Sequence, residues 1–305
     1  FFGSLLGRYL RLPVVFDAQD ESMAKALTDT YRVASRRRLL GRTAAWVDRW
    51  VVRKCDAIVA SSTRIARSFI EGHGVAPEKV VVALDGVDTE MFHPRFADPN
   101  LKSELGLPRD CVLIAFVGLL EPHQGIDVML EAFGHVAQQF PKAHLLVMGY
   151  PRVEEYRSKA EKPGLSGRVV FTGRMDYLRL PRFLASADIG IAPKLDRNES
   201  NGKVYNYMAS GLPVVAFDTD VNREILDVLG DYAEYGSAED LADAILTVCE
   251  RDRERRVKKG RALRRRAEER FTWTRSAQRI LDVYQWLVAS GHRTAAEPRP
   301  PQADK

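Results

Sequence analysis

Cysteine is scarce in this chain, long apolar runs are missing, and several of the short motifs that mark nucleotide and acyl chemistry do not occur. Three cysteines in 305 residues, Cys55, Cys111 and Cys249, are odd in number and far apart, with no CxxC pair and no cysteine–histidine cluster at zinc spacing. That excludes a disulfide framework and a structural zinc site and fits reduced thiols in cytosol. No apolar run approaches the roughly 20 residues needed to span a bilayer. No GxGxxG follows a strand, which argues against a dehydrogenase of the Rossmann type, and no GxxxxGK[ST] occurs, which argues against a P-loop nucleotide hydrolase. GxSxG is missing too, and the six histidines show no pairing with serine or cysteine that would suggest a triad. The chain starts at Phe1 and Phe2 rather than Met, which reads as a fragment or a processed start and not as a signal peptide.

What is present is ordinary globular material, 45% apolar and 29% charged, enough for one large or two medium domains. A net charge of +5 fits phosphorylated ligands or an anionic membrane face without choosing between them. PVVFD (13–17) reads as a strand that ends in the polar residues Asp17, Gln19 and Asp20, which either line a ligand cleft or cap the next helix. Residues 21–54 carry helical patterning with basic runs at Arg36–Arg38 and at Arg49, Arg53 and Lys54 beside Trp46 and Trp50. Tryptophan with arginine on one helix suits a membrane surface, although such runs are more often solvated faces. DAIVAS (56–61) and residues 79–84 read as further strands, and 92–108, with Pro94 and Pro99, as a linker.

Beyond that linker the alternation restarts: CVLIAFVG (111–118), a helix over 126–140, HLLVMG (144–149), VVFTG (169–173), a helix over 177–186 and DIGIAPK (188–194). Apolar strands alternating with helices at this spacing predict a parallel sheet covered on both faces. A charge-dense helix over 251–270 reads as a solvated face, 271–288 as an amphipathic helix that docks, and the proline-containing end as disordered.

The densest chemistry lies in NESNGKVYNYMASGLPVVAFD (198–218). Ser200 and Asn201 are N-cap types, Gly202 lets backbone approach a ligand closely, and Lys203 falls in the first turn of the helix that follows. A first-turn lysine opposes the helix dipole, unless the amide groups, the positive end of the dipole and the ammonium converge on an anion such as phosphate. Gly211 and Pro213 then stop the helix ahead of a buried strand. Asn222 and Glu224 follow as weaker candidates, equally well read as helix caps.

Taken together, two half-sheets in tandem, DGVDTEMF (85–92), VGLLEPHQGIDVMLEAF (117–133), VVFTGRM and NGKVYNYMASGLPVVAFD resemble the retaining nucleotide-sugar glycosyltransferases of family four. The resemblance runs from about Pro13 to Val288. It implies an α/β GT-B fold, two Rossmann-like domains facing across a cleft, the first one incomplete and lacking about its first third. The implied boundaries are 1–95 for a partial acceptor domain, 96–270 for a nucleotide-sugar domain, 271–290 for a helix crossing back to the first domain, and 291–305 for the tail. By similarity, the candidate catalytic residues are Lys203, Glu199 and Gln19, the last at the position of a family histidine. The donor's diphosphate and ribose fall to Gly118, Leu119, Gln124, Gly125, Gly173, Arg174, Lys194, Asn198, Ser200, Asn201, Gly202, Val204 and Asn206.

This sequence departs from the family pattern at telling places. Leu119 and Gln124 stand where an arginine and a lysine usually grip the diphosphate, and Asn198 and Asn206 stand where two glutamates are usual, with Glu199 one place out of register. The implied activity is metal-independent transfer of a sugar, with retention, from a nucleotide-diphosphate sugar to a glycan or lipid-linked acceptor. No cofactor, no metal and no nucleic acid are implied, and the place is the cytoplasm, with a peripheral contact at the inner membrane face. Two alternatives stand beside it: a nucleotide-sugar epimerase or hydrolase on the same fold, and a noncatalytic subunit that binds sugar nucleotides.

Overall fold

The strand predicted from DAIVAS shows how the smaller part of the molecule is built, because its side chains alternate between two apolar layers. In the computed structural model, which describes residues 2–19, 43, 46–162, 164–197 and 200–289, the chain divides into two compact units. One comprises Phe1–Asp85, Asn198–Ser200 and Trp273–Lys305, the other Gly86–Arg197 and Asn201–Thr272. Among the described residues, no helix is long and apolar enough to cross a membrane.

The first unit holds a parallel sheet in the order β1-β2-β3, with β1 at Val15–Ala18, β2 at Ala57–Ala60 and β3 at Val80–Val82. Successive side chains of a strand point to opposite faces. Ala57 and Val59 accordingly pack with Val81, Ala83, Val283 and Leu287, whereas Ile58 and Ala60 pack with Val52, Cys55, Ile65 and Phe69. Val283 and Leu287 belong to the helix Trp273–Ala289, and burying each contributes roughly 1.5–3 kcal/mol. Ser276 and Arg279 fasten the same helix by donating to the carbonyls of Leu84 and Val82. The helix Phe2–Leu10 turns small residues inward, Ser4 and Gly7, and leaves Phe2, Leu5, Leu6, Tyr9 and Leu10 exposed. The basic run Arg36–Arg38, Asp20 and the chain from residue 290 lie outside the described residues.

The second unit is built on a six-stranded parallel sheet: β4 Val112–Val117, β5 Ala143–Met148, β6 Val169–Gly173, β7 Ile189–Ala192, β8 Val214–Phe217 and β9 Asp231–Ala233. Its order is β6-β5-β4-β7-β8-β9. The chain thus winds outward in one direction from β4 and in the other from β7, so the switch point of a doubly wound sheet lies between these two strands. Helices Ile126–Gln139 and Ala238–Glu250 cover one face, burying Met129, Phe133, Val136, Leu241 and Ile245 against the strands.

Two expectations need correction. Residues 92–108 are not a loose linker: they carry the short helix Leu101–Glu104, Leu101 is buried, Asp98 receives Arg182, and the Asp98 amide donates to Ser186 Oγ. Nor is the charge-dense helix, Arg253–Arg270, only a solvated face. Gly260 packs so tightly that a Cβ there would stand 1.8 Å from the Gly211 carbonyl oxygen, and Arg264 and Arg266 donate to the carbonyls of Phe92, Ala209, Ile225 and Glu224. Cys55, Cys111 and Cys249 are buried thiols, and burial pushes Cys55 up to about 11 and Cys249 up to about 12.

Candidate functional site

In a doubly wound sheet, ligands bind beyond the carboxyl ends of the strands at the switch point. Here three neighbouring strands reach that rim as glycines. Gly118 and Gly173 have φ of 153° and 71°, conformations that other residues rarely adopt, and a Cβ on Gly149 would stand 2.0 Å from the Gly118 carbonyl oxygen. The strand ends thus meet backbone to backbone, with Gly149 buried and Gly118 and Gly173 half-buried, and a side chain would not fit at Gly149. After Gly118 come Leu119, nearly half exposed, and the turn Pro122–Gln124. Gly125, at φ 77°, ends that turn so close to β7 that a Cβ would lie 1.9 Å from the Pro193 carbonyl oxygen. The Leu195 amide donates to the His123 carbonyl at 2.8 Å. The segments after β4 and β7 are thus clasped together.

Lys203 enters this rim from the helix Gly202–Ala209. Its Nζ donates to Gln124 Oε1 at 2.6 Å and lies 5.0 Å from the centre of the Phe116 ring. Its Cε would be 3.1 Å from a Cβ at Gly118. Lys203, Gln124, Gly118 and Gly125 are therefore one cluster. Lys194 follows β7 and is only 5% exposed, and Arg174, beyond β6, lies over the Tyr150 ring at 5.0 Å. Asn206 is half-buried one turn on from Lys203.

The helix start differs from expectation in its detail. Asn201 occupies the N-cap position, yet its side chain makes no cap; its Nδ2 donates to Asn222 Oδ1 at 3.1 Å, and Asn222 Nδ2 donates in turn to the Phe217 carbonyl. Asn222 is 2% exposed, so it is an internal brace tying the helix start to the end of β8 and not a residue of the rim. Val204 is fully buried, and its amide donates to the Asn201 carbonyl. Gly202 is exposed. Ser200 groups with the first compact unit, as does Gln19, which is exposed at the end of β1 and donates to Asp17 Oδ1 at 2.8 Å. Asn198 and Glu199 lie outside the described residues. Among the described residues, no group of histidine, cysteine, aspartate and glutamate is arranged to hold a metal ion.

One residue that shapes the rim escaped the sequence reading. Tyr207, on the Lys203 helix, accepts from the Val117 amide at 2.9 Å and donates to the Ile191 carbonyl at 3.2 Å. It fills the place where β4 and β7 diverge, satisfying one backbone group of each strand, and burial holds its phenol far above the usual range. A sequence signal existed. Gly190 interrupts an otherwise apolar strand, and a Cβ there would stand 2.6 Å from the Tyr207 ring, so the glycine marks where another group comes close.

A glycine rim with a fixed ammonium, and with basic side chains following the neighbouring strands, is suited to an anionic group such as a diphosphate. Comparison with known proteins agrees with that chemistry. A family profile described as "Glycosyltransferase Family 4" matches residues 2–91, and one described as "Glycosyl transferases group 1" matches residues 111–251. A D-inositol 3-phosphate glycosyltransferase of Thermomonospora curvata is 31% identical over 265 residues, 81% of this chain and 60% of the relative. A phosphatidyl-myo-inositol mannosyltransferase of Mycobacterium leprae is 32% identical over 193 residues, 62% of this chain and 50% of the relative. The chain thus spans half to three fifths of the length of these relatives. Among solved structures, Anabaena HepE in complex with UDP and glucose superposes with a TM-score of 0.77 at 20% identity, covering 93% of this chain and 74% of that one. Sucrose-phosphate synthase from Thermosynechococcus elongatus gives 0.75 at 20% identity, covering 94% and 72%.

Proposed function

This chain belongs to the family-four glycosyltransferases and has their GT-B fold, and from that premise we propose that it transfers a sugar from a nucleotide-diphosphate donor to an acceptor hydroxyl, with retention and without a metal. In such a reaction the bond from the anomeric carbon to the diphosphate oxygen breaks as the acceptor oxygen attacks. Negative charge grows on the leaving group, and catalysis consists largely in stabilising that charge with donors already in place. The observation that carries the reading is the Lys203 ammonium fixed against Gln124 at the glycine rim of β4. The amide at the Gly202 helix start supplies a further donor, Gly118 and Gly125, whose own amides donate to the Met148 and Pro122 carbonyls, shape the backbone beside it, Arg174 and Lys194 add charge nearby, and Asn206 is assigned to a ribose hydroxyl. On resemblance alone, Glu199 is assigned to contact with the donor sugar, Asn198 to the set that holds the donor's diphosphate and ribose, and Gln19 to the catalytic position of a family histidine.

The acceptor is assigned to the class of polyols and lipid-linked glycans, in line with the names of the relatives. A peripheral contact with an anionic membrane face fits the first unit, where Phe2, Leu6 and Tyr9 are exposed on one helix and Trp46, Arg49, Trp50, Arg53 and Lys54 line a cavity of about 450 Å³. The first test is a thermal-shift screen of nucleotide diphosphates, starting with UDP, on this chain and on Lys203→Ala. One nucleotide should raise the melting temperature of the parent and not of the variant; stabilisation by none of them, or equally of both, refutes the reading. Leu119 and Gln124, where the family usually has cations, favour a second reading, binding without turnover. Release of nucleotide from a bound donor in the presence of acceptor separates the two.

A further inference from the structure

We propose that Gln124 is a positioning residue, whose side-chain oxygen holds the Lys203 ammonium in register with the glycine rim for an anionic ligand. The inference rests on the diphosphate reading above and adds a residue whose work is done through another. Three observations carry it. Gln124 is only 8% exposed, and its Oε1 accepts from Lys203 Nζ at 2.6 Å, a contact between residues 79 apart in sequence. The turn that bears it is fixed at both ends, by the Gln124 amide donating to the Glu121 carbonyl and by the Leu195 amide donating to the His123 carbonyl. Finally, the lysine stem runs past Gly118, where a Cβ would stand 3.1 Å from Lys203 Cε, so the glycine eases the ammonium's path to the rim.

A long lysine side chain loses much rotamer freedom when it is ordered. Gln124 imposes that order before ligand arrives, and does so without bringing a negative charge of its own, which a carboxylate at the same place would. Gln124→Met keeps the volume and removes the acceptor, whereas Gln124→Glu keeps the acceptor and adds the charge.

Calorimetry with UDP on the whole chain, beside urea unfolding to establish that each variant folds, tests this. Gln124→Met should weaken UDP about tenfold, the scale of one hydrogen bond to a charged group. Gln124→Glu should weaken it at least as much as Gln124→Met, and Gln124→Met combined with Lys203→Ala should bind no more weakly than Lys203→Ala alone. Affinity of Gln124→Met within about twofold of the parent, or additive losses in the double variant, overturns the proposal. The nitrogen-15 resonance of the Lys203 ammonium, recorded without ligand, keeps the two readings apart. It should be protected from exchange in the parent and lost in Gln124→Met. If UDP binds the parent but that resonance is the same in both, the positioning role is wrong and the diphosphate reading survives. If protection behaves as expected but no nucleotide diphosphate binds, the diphosphate reading fails and takes the ligand-directed role with it.

Discussion

Lys102 and Lys203 sit at opposite ends of the same two strands, β4 and β7, and they meet different kinds of partner. At the amino ends Lys102 Nζ donates to Asp188 Oδ2 at 2.8 Å and to the Cys111 carbonyl at 2.7 Å, while the same carboxylate oxygen accepts from the Leu113 amide. Both side chains are less than one-fifth exposed. That cluster joins the starts of β4 and β7 with charge matched to charge. At the carboxyl ends Lys203 is fixed by a glutamine oxygen beside an aromatic face, and the strands are parted by the Tyr207 hydroxyl. One end is arranged to be closed, the other to hold a cation in a chosen place. The stability of the sheet and its ligand chemistry should therefore respond to different substitutions.

The sharpest break of that comparison is the pair Asp188→Ala and Lys203→Ala. Removing Asp188 strands an ammonium and a backbone amide, which should cost about 2–4 kcal/mol in urea unfolding, somewhat less than for a fully buried pair. Its UDP affinity, measured well below the unfolding transition, should stay within about twofold of the parent. Lys203→Ala should do the reverse, costing about 1 kcal/mol for the Gln124 oxygen it leaves without its donor and weakening UDP by roughly 10–100-fold, the range of a charge-assisted bond. If Asp188→Ala costs affinity, or Lys203→Ala costs as much stability as Asp188→Ala, the two ends do not divide their work in this way.

Tyr207→Phe probes the divide from within, since the ring stays over Gly190 while the hydroxyl goes. The Val117 amide and the Ile191 carbonyl each lose a partner, and the loss should be about 1–3 kcal/mol in the urea midpoint. Because Lys203 and Tyr207 share a helix, UDP affinity should fall as well, by a factor smaller than for Lys203→Ala. A variant of full stability would mean that water or a shift of strand replaces the hydroxyl.

Much of this was legible in the sequence, for local reasons. Apolar runs such as VVAF and HLLVMG became buried strands because every side chain of a strand covered on both faces meets helix, and the glycines that end β4, β5 and β6 follow from close backbone approach and positive φ at the rim. Lys203 stood out as a cation placed against a helix dipole. Its holder did not, since Gln124 is 79 residues away and a glutamine in a turn has no periodicity to betray it. Tyr207 carries no local signal of its own, since its contact spans 90 residues. Asn201 takes the N-cap position that its type suggests, but the fate of its side chain was not legible, because a buried amide on another helix competes for it and wins. In the charge-dense helix the composition suggested a solvated face, whereas long arginine stems carry their heads to distant carbonyls that local pattern does not report.

The smallest effect belongs to a carboxylate at the carboxyl rim that is paired in the open, and it tests whether pairing as such, or pairing with burial, gives the Asp188 cluster its weight. Asp218, just beyond β8, accepts two bonds from Arg223 at 2.7 Å, and both side chains are about half exposed. The guanidinium holds the Asp218 carboxyl below the usual carboxylate range. A carboxyl whose folded value is depressed contributes stability above its unfolded value, near pH 4, and loses it as the pH falls through the folded value. The gap in urea midpoint between the parent and Asp218→Asn should therefore be small at pH 7, within the roughly 0–1 kcal/mol of exposed ion pairs, and should close as the pH is lowered from about 5 toward 2.5. The corresponding gap for Asp188→Ala should be several times larger at pH 7. Equal gaps would mean that charge pairing alone sets the strength of the amino end, and burial adds nothing to it.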